Sequence, residues 1–150
     1  MTTQTLLTRV LLAPSLALEL TLQEWDLLIR QARHANLLAR LGAVLLHQDI
    51  LPGLMEKPRS HLESALTIAR RQTQAVRWEI ERIAAGLQAI DTPIILLKGA
   101  AYIVRDLPAA QGRLFSDVDI MVERSQLEAV ELALKMQGWI TTHHDAYDQR

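Results

Sequence analysis

The sequence predicts an α+β fold, in which an N-terminal helical pair is followed by a small mixed sheet with flanking helices. Two observations predict this class. Apolar residues recur at helical spacing through most of the first 90 residues, whereas short apolar runs separate the later, shorter helices. The expected order is helix, helix, then strand–helix–strand–helix–strand. Because helical periodicity ends near Asp91, we divide the chain into a helical region, residues 1–91, and an α/β region, residues 92–150.

Composition narrows the classes of function open to this chain of 150 residues. It is 49% hydrophobic and 22% charged, which is typical of a soluble globular protein. The formal net charge of −1 gives no bulk attraction to nucleic acid or to an anionic membrane, and 4% aromatic residues argue against a base-stacking platform. The absence of cysteine excludes disulfides and thiolate metal sites. We therefore expect a cytoplasmic protein with no membrane partner.

The first long helix is predicted by a capping box at Thr21 and Glu24, and we expect it to continue to about residue 46. The apolar segment before it, residues 6–20, is short and is interrupted by a proline and a glutamate, so we do not interpret it as a membrane span. Residues 47–58 contain two prolines and a glycine and predict a loop.

The second long helix is predicted by another capping box, at Ser60 and Glu63. Behind it, apolar positions alternate steps of four and three, which predicts one buried stripe. The stripe consists of Leu62, Leu66, Ala69, Thr73, Val76, Ile80, Ile83, Leu87 and Ile90. The opposite face carries Arg70, Arg71, Arg77, Glu79, Glu81 and Arg82. We expect this charged face to be solvated rather than to bind phosphate, and the two helices to pack as an antiparallel pair.

The α/β region is predicted from shorter signals. Residues 94–97 form an apolar run that indicates a buried strand, Gly99 permits a tight turn, and residues 100–107 predict a helix. A third capping box, at Ser125 and Glu128, predicts the next helix. We expect Gly138 to end that helix in the left-handed conformation, and a last strand to cover residues 139–142.

The candidate chemistry lies on the strand between these two helices. Val118, Ile120 and Val122 alternate with Asp117 and Asp119, so a strand sends both carboxylates to one face, roughly 6–7 Å apart. Like charges at this distance repel, unless they are solvated at a strand end or a divalent cation lies between them. Mg²⁺ takes oxygen ligands from one or two carboxylates together with substrate phosphates. We therefore interpret the two aspartates as candidate metal ligands.

These residues resemble the uncharacterised bacterial nucleotidyltransferases of the DNA polymerase β-type nucleotidyltransferase superfamily. The resemblance is strongest over residues 94–140, and residues 21–90 look loosely like the helical segment that precedes the catalytic region in that family. It rests on Lys98 and Gly99 after an apolar strand, Arg113, the run Ser116, Asp117, Val118, Asp119, Ile120, Met121 and Val122, and a helix ending in Gly138 and Trp139.

The resemblance implies an enzyme that uses Mg²⁺ or Mn²⁺ to move a nucleotidyl group from a nucleoside triphosphate, such as ATP, to a hydroxyl of an acceptor. The acceptor is a small molecule or a protein. Asp117 and Asp119 would be the metal ligands and catalytic residues. Gly99 with Ala100 would lie at the phosphate turn, where the superfamily more commonly has Gly-Gly or Gly-Ser.

Three more residues complete the implied nucleotide site. Lys98 would supply a point charge to phosphate, and Arg113 a bidentate fork for phosphate or for the aspartate pair. Ser116 stands at the entry to the strand. In the superfamily a third carboxylate from a later strand completes the metal site, and the resemblance implies that this residue comes well downstream, beyond Arg150. Neither Asp145 nor Asp148 lies in an alternating strand, so we expect the α/β core to be truncated at its C-terminus.

Two other functions stay open at this point. A degenerate member of the superfamily would keep nucleotide or metal affinity without turnover. Alternatively, residues 21–90 would dock a partner or a second copy of the chain, with the α/β region as scaffold. Labelling, calorimetry and deletion of the helices distinguish these alternatives.

Overall fold

The computed structural model describes residues 4–90 and 92–141. Its α-helices are α1 (Leu6–Leu12), α2 (Leu22–His34), α3 (Leu38–His47), α4 (Glu56–Gly86), α5 (Lys98–Val104) and α6 (Leu127–Met136), and its strands are β1 (Ile95–Leu96) and β2 (Ile120–Met121). Short 3₁₀ turns lie at Pro14–Leu18, Leu51–Gly53, Pro108–Ala110 and Arg124–Gln126. The predicted α+β class is confirmed. No helix in the described ranges is long and apolar enough to cross a membrane.

The prediction of one helix from residue 21 to residue 46 is wrong, because the chain breaks between α2 and α3. Asn36 adopts a left-handed conformation with φ 60°. The Leu37 N–H donates to the Ala32 carbonyl at 2.7 Å, and the Asn36 N–H to the Arg33 carbonyl at 3.1 Å. These bonds form a C-terminal cap of the kind that ends helices at Gly or Asn. Asn36, which lies inside the predicted helix, is therefore the left-handed residue of the cap that ends α2.

The capping box at the start of α2 is confirmed. The Glu24 N–H donates to Thr21 Oγ1 at 3.3 Å, and the Thr21 N–H donates to Glu24 Oε2 at 2.9 Å. The bond from the Thr21 N–H, followed by the bond from the Thr21 hydroxyl, lowers the pKa of Glu24 because both stabilise the carboxylate. A helix N-terminus stabilises a negative charge at the same position.

The other two predicted capping boxes do not form. Ser60 lies inside α4, where its hydroxyl donates to the Lys57 carbonyl at 2.9 Å. Pro58 lies in the first turn of α4, where its fixed φ and missing N–H are tolerated, so the helix begins a turn before the serine. Ser125 lies in a 3₁₀ turn, and α6 begins at Leu127 with no side-chain cap.

The sheet is smaller than the sequence predicts. β1 and β2 pair antiparallel, with Ile95 opposite Met121 and Leu96 opposite Ile120. Residues 139–141 are not a strand, and residue 142 lies outside the described residues. Trp139 instead packs against the core beside α4. Gly138 has the predicted positive φ, at 98°.

The core consists of two clusters that share α4. The first is formed by α1–α4, and its most buried large side chains are Trp25, Leu28, Leu41, Leu45 and Leu62. The second joins Ile83 and Leu87 from the end of α4 to Val130 of α6. The partly buried side chains around it include Val118, Ile120, Val122, Leu134 and Trp139. The division of the chain at residue 91 stays a prediction.

Three residues of the charged face of α4 contact the α/β region, although Arg82 is exposed as expected. The Arg77 guanidinium donates to the Ile103 carbonyl at 2.8 Å and pairs with Asp106. Glu79 accepts a hydrogen bond from Trp139 Nε1 at 2.8 Å. Arg82 stacks against the Trp139 ring, with its Cζ 4.7 Å from the ring centroid. This face therefore holds α4 against the α/β region.

The loop after α5 is held against α3. The Arg40 guanidinium donates to the carbonyls of Pro108 and Gln111, at 2.8 and 3.0 Å. Gly112 has φ 66°, and a Cβ there would overlap the Ala39 carbonyl oxygen and lie 2.7 Å from Arg40 Cα. Only glycine fits this close approach of two backbones.

Gly112→Ala is expected to lower the free energy of unfolding by about 2 kcal/mol, because alanine adds both a left-handed strain and an overlap with α3. Urea unfolding measures the change. Gly138→Ala is the matched control, since Gly138 also has a positive φ but no atom lies within 4 Å of the added Cβ. Equal losses in the two variants would show that the close approach to α3 contributes nothing.

Candidate active site

The turn between β1 and α5 brings Lys98 to Asp119. The Leu97 N–H donates to the Asp119 carbonyl at 3.0 Å, which continues the hydrogen bonding of the sheet. The next residue, Lys98, adopts a left-handed conformation with φ 48°. Its Nζ lies 3.1 Å from Asp119 Oδ2, and the side chains are 70% and 32% exposed. A strained non-glycine residue is thus placed beside one of the predicted metal ligands.

The apolar residues of the segment around β2 face the core. Val118, Ile120 and Val122 pack against the second core cluster. Residues 117–119 precede β2 and are not part of a strand, so the placement of Asp117 and Asp119 on one face stays a prediction. Asp117 is exposed, and its Oδ1 lies 3.1 Å from the Ser116 hydroxyl, which donates to it. The structure therefore brings Lys98 to Asp119 and Ser116 to Asp117.

Gly99 is buried against the aromatic ring of Phe115. A Cβ on Gly99 would lie 2.5 Å from Phe115 Cδ1 and 2.6 Å from Cε1, so no larger residue fits while the ring stays in place. The side chain of Ala100 is also buried. The Phe115 N–H donates to Gln72 Oε1 at 3.0 Å, which connects the same residue to α4. Phe115 therefore fixes the acidic segment to both α5 and α4.

Sequence reasoning missed Phe115 and Gln72. Phe115 is the single phenylalanine of the chain and stands two residues before the acidic pair. Gln72 follows Ala69 by three and precedes Val76 by four, so it lies on the buried side of α4. The sequence signal that could have identified Gln72 is a polar residue at the helical spacing of the buried positions of α4.

Arg113 lies among aromatic rings. Its Cζ is 5.7 Å from the Tyr102 ring centroid and 5.6 Å from that of Phe115, which are cation–π distances. Among the ion pairs of the described residues, none joins Arg113 to an aspartate. Its predicted role as a phosphate fork stays a prediction, as do the phosphate roles of Gly99 and Ala100.

A cavity of about 530 Å³ lies between α4 and the acidic segment. Its volume is in the range of small-molecule sites. Asp117 lines it, whereas Asp119 does not. The remaining lining residues include Gln72, Val76, Glu79 and Ile83 of α4, Phe115 and Ser116 before the strand, and Leu134 and Trp139.

The donor set fits a magnesium-like ion. In residues 4–90 and 92–141, no group of three or more acidic or histidine side chains could hold a metal. Asp117 and Asp119 supply two carboxylates, and Mg²⁺ is commonly bound through one or two carboxylates plus water and phosphate oxygens. The Lys98 ammonium already pairs with Asp119, so a metal ion bound there would have to compete with this ion pair.

The free energy of unfolding of Lys98→Gly is expected to be about 1 kcal/mol higher than that of Lys98→Ala. The reason is that glycine adopts the left-handed conformation without steric cost. Both variants lose the exposed ion pair equally, so their difference isolates the backbone strain. Urea unfolding of the two variants measures it. If they unfold at the same denaturant concentration, residue 98 is not strained.

Gly99→Ala is expected to lower the free energy of unfolding by roughly 1–3 kcal/mol, because the added methyl group overlaps the Phe115 ring. Phe115→Leu in the same chain should recover part of this loss, since the smaller side chain leaves room for the methyl group. A double-mutant cycle measures the coupling. Additive effects of the two substitutions would contradict the contact.

Comparison with family models matched residues 21–150, from the start of α2 onward, to a family described as uncharacterised nucleotidyltransferase. The matched region contains the β1–α5 turn, Phe115 and both aspartates. Searches of curated proteins and of solved structures gave no match.

Proposed function

Because the chain belongs to the family of uncharacterised nucleotidyltransferases, we propose that it transfers a nucleotidyl group from a nucleoside triphosphate to a hydroxyl of an acceptor. The observation that supports a site at this position is the ion pair between Lys98 and Asp119 at the β1–α5 turn. The pair consists of one cationic and one anionic side chain, and Asp119 follows the other proposed ligand, Asp117, by two residues. These are the kinds of charge that a metal-bound triphosphate requires.

Asp117 and Asp119 are the residues that would hold the divalent cation. When bound, Mg²⁺ or Mn²⁺ neutralises charge on the triphosphate and orients it for in-line displacement. The Ser116 hydroxyl donates to Asp117 and so restricts its carboxylate. Phe115 fixes the backbone that carries both acids, through the Gln72 side chain and the Gly99 backbone.

Lys98 has two roles in this proposal. Without substrate its ammonium balances Asp119 and reduces repulsion within the acidic pair. With a triphosphate present, the same ammonium exchanges to a phosphate oxygen as a point charge, which its flexible stem allows. In this proposal the exchange is a rotation of the Lys98 side chain, whose ammonium starts 3.1 Å from Asp119 Oδ2.

The reaction is an attack of the acceptor hydroxyl on the α-phosphorus. The new phosphorus–oxygen bond forms as the bond to the α–β bridging oxygen breaks, and pyrophosphate leaves with the electron pair. The hydroxyl loses its proton to a base. In this mechanism the protein accelerates the reaction by positioning the substrates and stabilising charge, and it forms no covalent bond to them.

Asp117→Asn and Asp119→Asn are each expected to reduce transfer at least a hundredfold, because an amide keeps the shape but not the charge that binds the cation. The assay is the labelling of acceptors in a fractionated cell extract with α-³²P-labelled nucleoside triphosphates and Mg²⁺ or Mn²⁺. Asp26→Asn is the control, since Asp26 lies on α2 in an exposed ion pair with Arg30.

Labelling of equal strength by wild type and both variants would remove the two aspartates from the mechanism. Calorimetry with MgATP provides a second measurement on the same proteins. Binding by wild type without labelling under any condition would replace the transferase with a nucleotide-binding module. Full labelling by Asp26→Asn confirms that the loss is specific to the site.

A further inference from the structure

We propose that a second groove, between α3, α4 and the loop after α5, binds a small amphipathic anion. The ligand class is a molecule with an apolar body and one acidic group. The groove has a volume of about 630 Å³, which is within the range of small-molecule sites. It lies at the C-terminal end of α5, whereas Lys98 and Asp119 lie at the other end, about 10 Å away along the helix axis. The proposal does not depend on the transfer reaction.

The apolar lining of the groove explains why we expect the body of the ligand to be apolar. Ala69 of α4 and Ile103 of α5 form its floor and are 4% and 1% exposed. Leu46 of α3 and Leu107 after α5 form its walls and are 51% and 41% exposed. Two large aliphatic side chains that line the groove are thus exposed, and an apolar ligand that covers them would remove both from water.

The charged side chains around the groove explain why we expect the ligand to carry an acidic group. The charged or titratable side chains that line it are His47, Arg70, Arg77 and Asp106. Arg77 is balanced by Asp106 and also donates to the Ile103 carbonyl. Arg70 donates to the Thr67 hydroxyl at 3.2 Å and forms no ion pair with an acid of the described residues. One guanidinium charge is therefore uncompensated at the rim.

An uncompensated guanidinium favours an anion over a neutral ligand. Its planar set of donors matches a carboxylate, sulfonate or phosphate group, and such charge-assisted hydrogen bonds are stronger than neutral ones. Asp106, the acid of the rim, is already engaged by Arg77. The groove therefore presents an apolar interior and, at Arg70, a guanidinium that is available to an anion.

The walls of the groove are preorganised. Arg40 binds the carbonyls of Pro108 and Gln111, and Gly112 lies against the α3 backbone. Arg77 holds the end of α5 from the other side. A ligand would enter a groove whose backbone is already fixed, which lowers the entropic cost of binding.

Two dyes with the same apolar body test the proposal on the full chain. 8-Anilinonaphthalene-1-sulfonate carries the anion, and N-phenyl-1-naphthylamine lacks it. With isoleucine methyl groups labelled for NMR, we expect the sulfonate to shift the Ile103 signal first. The exposed Ile95 and Ile140, which do not line the groove, report binding elsewhere. The sulfonate should bind about tenfold more tightly than the neutral dye, as one charged hydrogen bond would provide.

Arg70→Gln is expected to abolish the preference for the sulfonate while the neutral dye still binds. Arg71→Gln is the matched control, because Arg71 is the next residue on α4 but does not line the groove. Far-UV circular dichroism and thermal unfolding establish that both variants are folded. The proposal fails if the dyes bind equally to wild type, if Ile95 or Ile140 shifts while Ile103 does not, or if both arginine variants lose the preference.

Discussion

The contact between the Gly99 backbone and the Phe115 ring is the constraint on which the candidate site depends. It joins the first turn of α5 to the segment that carries both aspartates, at a distance that excludes any side chain on residue 99. Gln72 holds the same phenylalanine from α4 through a backbone hydrogen bond. The strand pairing of β1 and β2 spans only two residue pairs. The aromatic contact therefore helps to hold the acidic segment in the position that a longer sheet would otherwise fix.

α4 organises the molecule around that contact. Its first half packs with α3 against the N-terminal cluster, and its second half forms the second cluster with α6. Between them, Gln72, Arg77 and Glu79 bind the α/β region through a phenylalanine N–H, a helix-end carbonyl and a tryptophan N–H. Polar side chains on one helix therefore determine where the acidic segment, α5 and the chain after α6 lie.

The sequence predicted the fold class and most of the helices and strands, because these depend on local periodicity and on adjacent residues. The stop at Asn36 was missed because a single left-handed residue outweighs a continuing apolar stripe. The start of α4 was misplaced because Pro58 favours a first turn more strongly than Ser60 favours a cap. Signals that start or stop a helix compete with each other and with the apolar periodicity, and the periodicity alone does not show which signal determines the helix end.

The contacts made by the candidate site residues could not be predicted from the sequence. The Lys98–Asp119 pair and the Gly99–Phe115 contact join residues 16 to 21 positions apart, which periodicity cannot relate. Arg113 was assigned by its charge to phosphate or carboxylate, yet its guanidinium lies at cation–π distance from two aromatic rings. A charge in the sequence indicates what a residue is able to bind, whereas its location depends on the fold.

The continuity of α4 through both core clusters has a consequence for how the protein melts. Ile83 and Leu87 are buried by the α/β region, while Leu62 of the same helix is buried by the N-terminal helices. Loss of either cluster would leave half of a helix exposed along its apolar side. The two halves therefore favour unfolding together as one cooperative unit, and heat or denaturant that loosens the helical region also releases the geometry of the acidic segment.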